Sequence, residues 1–134
     1  MRKLNERGVA AAELALLLPV LLLILFGTIE FGMVMYGREV VTNASREGAR
    51  AGIVQRIPPV TAGEIRTVAT NYLTGTGINT ADVTIAIPAS GGATGTPVTV
   101  TATYRYRWLI PYVPTIAGLP TPLTIAMTTT MRHE

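Results

Sequence analysis

The chain begins with a short polar stretch, continues as a long apolar run, and only later alternates between apolar and polar residues. From Val9 to Ile29 it carries 21 residues with a single charged side chain, Glu13. At about 1.5 Å per residue, a helix of this length spans roughly 32 Å, which matches the core of a bilayer. Pro19 lies inside the run, where a membrane helix tolerates it as a kink. The pattern predicts a transmembrane helix over residues 9–37.

Beyond Tyr36 the helical pattern continues but becomes amphipathic. Residues 38–54 are therefore predicted to extend the same helix, which would run from Ala10 to about Ile53. Its small residues recur at helical spacing and form a stripe suited to close packing. The members of this stripe are Val40, Ala44, Gly48 and Ala51.

Charged residues surround the small-residue stripe. Glu47 and Arg50 are spaced for an i,i+3 pair. Arg46 and Arg50 are like charges one turn apart, so Arg46 is expected either to meet an acceptor on another segment or to remain in solvent. Four residues are thus candidates for helix–helix contacts: Glu30, Arg46, Gly48 and Arg50.

Two carboxylates lie in or beside the apolar run, where a charge near the bilayer centre costs about 2.5–3.5 kcal/mol. Glu30 is near the far interface, so it either marks where the helix leaves the lipid or pairs with a group on another helix. If the chain were cut after Gly8, Val9 would gain a free α-amine four residues before Glu13 on the same helix face. The two charges would then neutralise each other, within one chain or between neighbouring chains.

Residues 1–8 are basic, with three Lys/Arg side chains against Glu6. A basic stretch before an apolar run also opens a secretory signal peptide. Here the apolar run is too long, and the small residues of the segment 10–12 precede it instead of following it. The positive-inside rule places this leader in the cytoplasm, although three arginines beyond the run weaken that assignment.

The junction also resembles a known family. Gly8, the following Val-Ala-Ala-Ala-Glu-Leu run, Glu30-Phe31-Gly32 and the segment 44–52 (Ala-Ser-Arg-Glu-Gly-Ala-Arg-Ala-Gly) are similar to the TadE-like family of Tad (tight adherence) pilus systems. The resemblance covers the first 54 residues and, more loosely, the tail from Met127 to Glu134. It leaves residues 75–122 without a counterpart.

The resemblance implies a minor pilin or pseudopilin of a Tad-type pilus that serves pilus assembly, adhesion or surface attachment. It implies cleavage after Gly8 by a prepilin peptidase, with Glu13 serving subunit registration or recognition. The implied partners are other pilin or pseudopilin subunits, an assembly platform in the membrane and the lipid bilayer. The chain would lie in the cytoplasmic membrane as a single-pass protein, its N-terminus in the cytoplasm and its C-terminal domain outside, or in the pilus itself.

Residues 55–134 are expected to form a small extracytoplasmic α+β domain. Pro58 and Pro59 end the long helix, and Thr61-Ala-Gly-Glu64 is a capping box for a short helix over residues 62–74. Alternation predicts three strands in an antiparallel meander, whose apolar face packs on the two helices. The strands cover Val83 to Ile87, Val98 to Trp108, and Leu123 to Met131; the segments 88–97 and 110–122 are predicted as loops.

The sequence offers little chemistry for catalysis. It has no cysteine, and His133 is its only histidine. No catalytic, cofactor or metal site is predicted. An enzyme would need a site made of Glu64, Asp82, His133 or Glu134, and nothing in the sequence brings these residues together. Tyr104 to Trp108 interleave aromatic and basic residues, but alternation sends these to opposite faces of a strand, so no nucleic-acid partner is expected. The alternative to a pilus subunit is a single-pass membrane protein that presents a small binding module.

Overall fold

The computed structural model describes residues 2–90, 92 and 95–132, with side chains described from Gly8 onward. Helix α1 spans Arg2–Gly52, α2 Ala62–Leu73 and α3 Tyr112–Ala117. Strands β1 (Val83–Ser90), β2 (Pro97–Tyr106) and β3 (Leu123–Arg132) form an antiparallel sheet in the order β1-β2-β3. The predicted α+β fold, with a long helix, a short helix and a three-stranded meander, is confirmed.

Helix α1 is continuous over 51 residues and includes Pro19. It starts at Arg2, earlier than the predicted start at Ala10, so the basic leader belongs to the same helix. From Gly8 to Ile29 its side chains are almost all exposed, whereas Glu30 is 1% exposed and one face stays buried from there to Gly52. Helix α1 therefore has an uncovered first part and a second part that packs on the rest of the chain.

The buried face of α1 depends on small residues that let other elements approach closely. A Cβ added at Gly48 would lie 3.2 Å from the Ala69 Cβ, and one at Gly52 only 2.6 Å from a Val98 methyl. Of the predicted stripe, three members are buried, but Ala51 is only half-buried. The buried line instead passes through Gly37, Val41, Ser45, Gly48 and Gly52.

Helix α2 packs antiparallel to α1. Thr61 and Glu64 form the predicted capping box at its start. Ile65, near this start, contacts the Gly48–Gly52 region, whereas Leu73 clusters with Val40 and Ala44 further back along α1. The Tyr36 hydroxyl donates a hydrogen bond of 2.6 Å to the Thr76 carbonyl. The α2 chain thus runs back toward the uncovered part of α1.

Strand β2 is the centre of the sheet and also runs back along α1. Val98 lies against Gly52, and the Tyr104 ring lies against Gly37. Val98, Val100 and Ala102 are fully buried, which confirms the predicted inward face. The strand ends at Tyr106, two residues before the prediction, and Trp108 lies beyond it. β1 extends to Ser90 through Pro88, which an edge strand accepts because its outer N–H positions need no partner.

The prediction of a loop over residues 110–122 was wrong, because the segment contains α3. Pro111 precedes the helix and Pro114 occupies its third position. The first N–H groups of a helix have no partner within it, so a proline in the first turn removes no hydrogen bond. Gly118, with φ of 66°, ends α3 in the left-handed conformation that glycine adopts readily.

The antiparallel arrangement sorts the connections into two groups. Residues 74–82 and 107–122 lie at the end of the domain next to Glu30 and Tyr36, here called the proximal end. Residues 53–61, the end of β1 and the start of β2 lie at the opposite, distal end, beside Gly52.

Candidate functional site

The junction at Gly8 and Val9 is exposed on α1. A Cβ at Gly8 would meet no atom within 4 Å, and Val9 is 55% exposed. Glu13 is also exposed and has no hydrogen-bond or ion-pair partner among the side chains the structure describes. In this uncleaved chain Val9 carries an amide in place of a free amine, so pairing between that amine and Glu13 stays a prediction.

The residues after the junction form a long uncovered apolar surface. Over the described part of the chain, α1 is the one helix long and apolar enough to cross a membrane. Leu16 is 78% exposed, Leu21 61% and Ile24 62%, so the described part of the domain leaves them bare. Such a surface needs lipid or other helices to cover it.

Glu30 is the first buried side chain after this apolar run, and it joins α1 to the proximal end of the domain. Its Oε2 accepts a hydrogen bond of 2.5 Å from the Tyr106 hydroxyl. Its Oε1 accepts a bond of 2.7 Å from the backbone N–H of Ile110. One carboxylate therefore fixes the end of β2 and the chain that enters α3. These three residues are here called the Glu30 cluster.

Aromatic rings surround the Glu30 cluster. The Tyr106 ring meets Tyr104 edge-on at 6.2 Å and Trp108 at 5.6 Å between centroids. Burial, together with the adjacent Glu30, raises the pKa of the Tyr106 hydroxyl, which keeps it protonated as a donor. The Trp108 indole N–H donates to the Pro120 carbonyl at 3.0 Å and so holds the chain on the far side of α3.

The other predicted contact residues separate into two groups. Gly48 lies on the face of α1 that packs against α2 and β2, so it belongs to a helix–helix contact within the chain. Arg50 pairs with Glu47 at 3.8 Å and stays exposed, while Arg46 is exposed without a partner in the described part of the chain. Contacts of Arg46 or Arg50 with other chains stay a prediction.

The residues that an enzyme would need do not converge where they are described. Glu64 pairs with Arg56 at the distal end, whereas Asp82 pairs with Arg107 at 2.9 Å at the proximal end. His133 and Glu134 lie outside the described residues. Among the described residues, no three metal-ligating side chains of the His, Cys, Asp or Glu type form a group.

The Glu30 cluster went unrecognised in the sequence. Glu30 and Tyr106 are 76 positions apart in the chain, and no sequence spacing links them. The feature of the sequence that could indicate this contact is chemical. A carboxylate at the end of an apolar run needs hydrogen-bond donors, and a buried tyrosine hydroxyl needs an acceptor.

Comparisons with known proteins agree with the resemblance of the N-terminal segment. Residues 8–50 match the family model described as TadE-like protein. Neither the curated proteins nor the solved structures gave a match. The matched segment begins at the Gly8 junction and covers the apolar run and most of the buried face of α1. The similarity to the TadE-like family therefore covers most of helix α1, which is less than half of the chain.

Proposed function

We propose that the chain is a minor pilin or pseudopilin of a Tad-type pilus, cleaved after Gly8 by a prepilin peptidase and contributing to pilus assembly, adhesion or surface attachment. The observation that carries the proposal is the junction within the matched segment. The Gly8–Val9 junction is exposed. Glu13, which would be the fifth residue of the cleaved chain, is exposed as well, and an apolar surface that the domain leaves bare follows it.

The proposed mechanism follows from what cleavage changes. Removing residues 1–8 takes away a basic leader and leaves an ammonium on Val9 next to the helix carboxylate. In a bundle of such helices, Glu13 binds an amine of its own or a neighbouring chain. Because an unpaired charge in an apolar interior is strongly destabilising, this pairing favours one register between subunits.

The uncovered part of α1 has two successive environments in this scheme. Before assembly, the bilayer covers residues 9–29, the apolar run of the transmembrane helix predicted over residues 9–37. Afterwards, other pilin or pseudopilin helices cover this run. An assembly platform in the membrane moves the helix between the two. The N-terminus lies in the cytoplasm, and the domain from residue 55 onward lies outside the cytoplasmic membrane.

N-terminal sequencing and intact-mass analysis of the protein from its native membrane test the proposal. We expect a mature chain that begins at Val9. A matched variant, Gly8→Arg, should keep the full mass while Gly32→Arg, a change elsewhere on α1, should still be cleaved at the junction. A wild-type chain that begins at Met1 in cells with an active peptidase would instead favour a single-pass protein with an extracytoplasmic binding module.

A further inference from the structure

We propose that α3 and its flanking residues form a second membrane contact, which lies in the headgroup region of the bilayer that α1 crosses. The partner is the lipid surface itself. The inference rests on the membrane insertion of α1 in the proposed function, and it adds a surface that places the domain on the bilayer.

The first step is the position of α3 relative to the apolar run. Ile110, two residues before α3, donates its backbone N–H to Glu30 at 2.7 Å. Glu30 directly follows the run of 21 residues that ends at Ile29. Because that run is about as long as a bilayer core is thick, Glu30 lies at the edge of the hydrocarbon. The segment that enters α3 lies at the same level.

The second step is the surface that this segment presents. Four large apolar side chains in and around α3 point away from the domain: Leu109 is 67% exposed, Tyr112 76%, Ile116 69% and Leu119 44%. Tyr112 and Ile116 are one helical turn apart, so they share a face, while Pro114 is buried against the domain on the other side. Such a face is costly in water and suited to a membrane interface.

The third step is the polar surroundings of that face. Tyr112 and the nearby Trp108 are aromatic residues of the type enriched at the level of lipid headgroups. Arg105 and Arg107 line an open groove of about 630 Å³ beside Trp108 and Pro111. Asp82 pairs with Arg107, which leaves a net positive charge in this groove. A net positive charge beside an apolar face matches a surface of anionic phospholipid.

The opposite end of the domain provides an internal comparison. Ile57 is fully exposed at the distal end, just beyond Gly52. Gly52 lies 22 residues beyond Glu30 on the same helix, or roughly 33 Å at 1.5 Å per residue. Ile57 and Val54, which is 53% exposed, are at that height outside the reach of the headgroups.

The test uses site-directed spin labels, because the chain has no cysteine of its own. Full-length chains with Tyr112→Cys, Ile116→Cys, Ile57→Cys or Leu21→Cys are labelled and inserted in vesicles of phosphatidylethanolamine and phosphatidylglycerol. A lipid with chelated nickel on its headgroup relaxes labels near the headgroups, and dissolved oxygen relaxes labels in hydrocarbon. We expect several-fold stronger nickel relaxation at positions 112 and 116 than at position 57, and strong oxygen relaxation at position 21.

Equal nickel relaxation at positions 57, 112 and 116, with position 21 still in hydrocarbon, would overturn the second contact and leave membrane insertion standing. Weak oxygen relaxation at position 21 would overturn both. Ile57 is fully exposed, so a label at position 57 is open to any nickel-carrying headgroup that comes near it. It therefore shows how much relaxation occurs at an exposed position that does not contact the bilayer.

Discussion

Glu30 is the side chain on which the proximal end of the domain depends. Its two oxygens accept from two different segments, the Tyr106 hydroxyl and the Ile110 N–H. Tyr106 is 3% and Glu30 1% exposed, so this donor and the acceptor are removed from water, and Ile110 is half-buried. A buried donor that loses its acceptor costs about 1–3 kcal/mol, so this one carboxylate satisfies two expensive groups.

We therefore expect Glu30→Leu to lower the free energy of unfolding by about 2–6 kcal/mol, since it leaves two donors without an acceptor. Glu30→Gln keeps one acceptor oxygen and should cost less. Urea unfolding of the full chain in detergent, followed by near-ultraviolet circular dichroism, measures both and reports on the packing of Tyr106 and Trp108.

Glu47→Gln is the matched control for these variants. Glu47 lies on the same helix but is half-exposed and pairs only with Arg50, so its loss should change stability by less than about 1 kcal/mol. Equal effects of Glu30→Leu and Glu47→Gln would contradict the role assigned to the Glu30 cluster.

Glu64 gives a second prediction, at the distal end. The Arg56 guanidinium, and then the backbone N–H of Thr61, lower the pKa of Glu64 from 4.5 to about 2. Because its folded pKa is depressed, the carboxylate stabilises the fold above pH 4.5, and this contribution is lost as the pH falls from about 4.5 to about 2.

The measurement is the thermal midpoint of the full chain in detergent across this pH range. Glu64→Gln should lose the part of the pH dependence that lies between about 4.5 and 2. Arg56→Gln should retain a smaller part, because the Thr61 cap remains. If the thermal midpoint of Glu64→Gln changed with pH in the same way as that of the wild type, Glu64 would not be the source of this pH dependence.

Among the elements, α1 and β2 approach each other closely at Gly52, where only a residue without a Cβ fits. A Cβ at Gly52 would lie 2.6 Å from a Val98 methyl and 2.8 Å from the end of Ile65. Val98 is fully buried in the central strand and stiff at χ1, so it has little room to move. At Gly32, by contrast, a Cβ would meet nothing within 4 Å.

Gly52→Ala is therefore expected to destabilise the domain by about 1–3 kcal/mol through overpacking. Gly32→Ala, the same change on the same helix, should be neutral or slightly stabilising, because alanine favours a helix over glycine by about 1 kcal/mol. The denaturant midpoints of the two full-length variants measure this difference in stability. A Gly52→Ala variant more stable than the wild type would mean that α1 and β2 lie further apart than described.

The elements also indicate what sequence patterns can and cannot predict. β2 was predictable because Val98, Val100 and Ala102 alternate with threonines that face the other way. α3 was not, because its prolines suggest a loop, and only their position in the first turn makes them compatible with a helix. Periodicity describes one element at a time, so it could not place the end of β2 against Glu30.

The small-residue stripe on α1 was only partly predictable, because helical periodicity describes α1 alone and not the elements that cross it. Helical spacing identified Ala44 and Gly48 as buried. The direction from which β2 crosses α1 is a property of the whole packing, and it makes Gly37 and Gly52 the close-contact points instead of Ala51. The junction at Gly8 was recognised by resemblance, and its processing stays a prediction.

The molecule as a whole divides near Glu30 into a largely exposed first part of α1 and a second part that is packed into the domain. Residues 8–29 are uncovered, whereas residues 30–132, where described, form one packed unit. A change in the first part should therefore affect insertion, processing or assembly without changing the stability of the second. A change in the second part should do the reverse.

Glu13→Ala applies this division to the proposed function. We expect it to leave the thermal midpoint of the domain and the membrane insertion of α1 unchanged, because Glu13 touches nothing in the domain. Pilus assembly should be strongly reduced, since each subunit would bury an amine without its carboxylate, at a cost of about 3–5 kcal/mol. Electron microscopy of pili on cells, beside membrane fractionation and the thermal midpoint, measures the three properties separately.

Glu13→Asp and Glu39→Ala complete this experiment. Aspartate keeps the charge on a shorter side chain and should restore part of the assembly. Glu39 is exposed further along the same helix and accepts only from Asn43, so its loss removes a carboxylate without touching the junction. Normal piliation with Glu13→Ala would exclude the amine–carboxylate pairing. Equal loss of pili with Glu39→Ala would mean that assembly responds to the charge of α1 in general, and that the position of Glu13 beside the new amine has no special role.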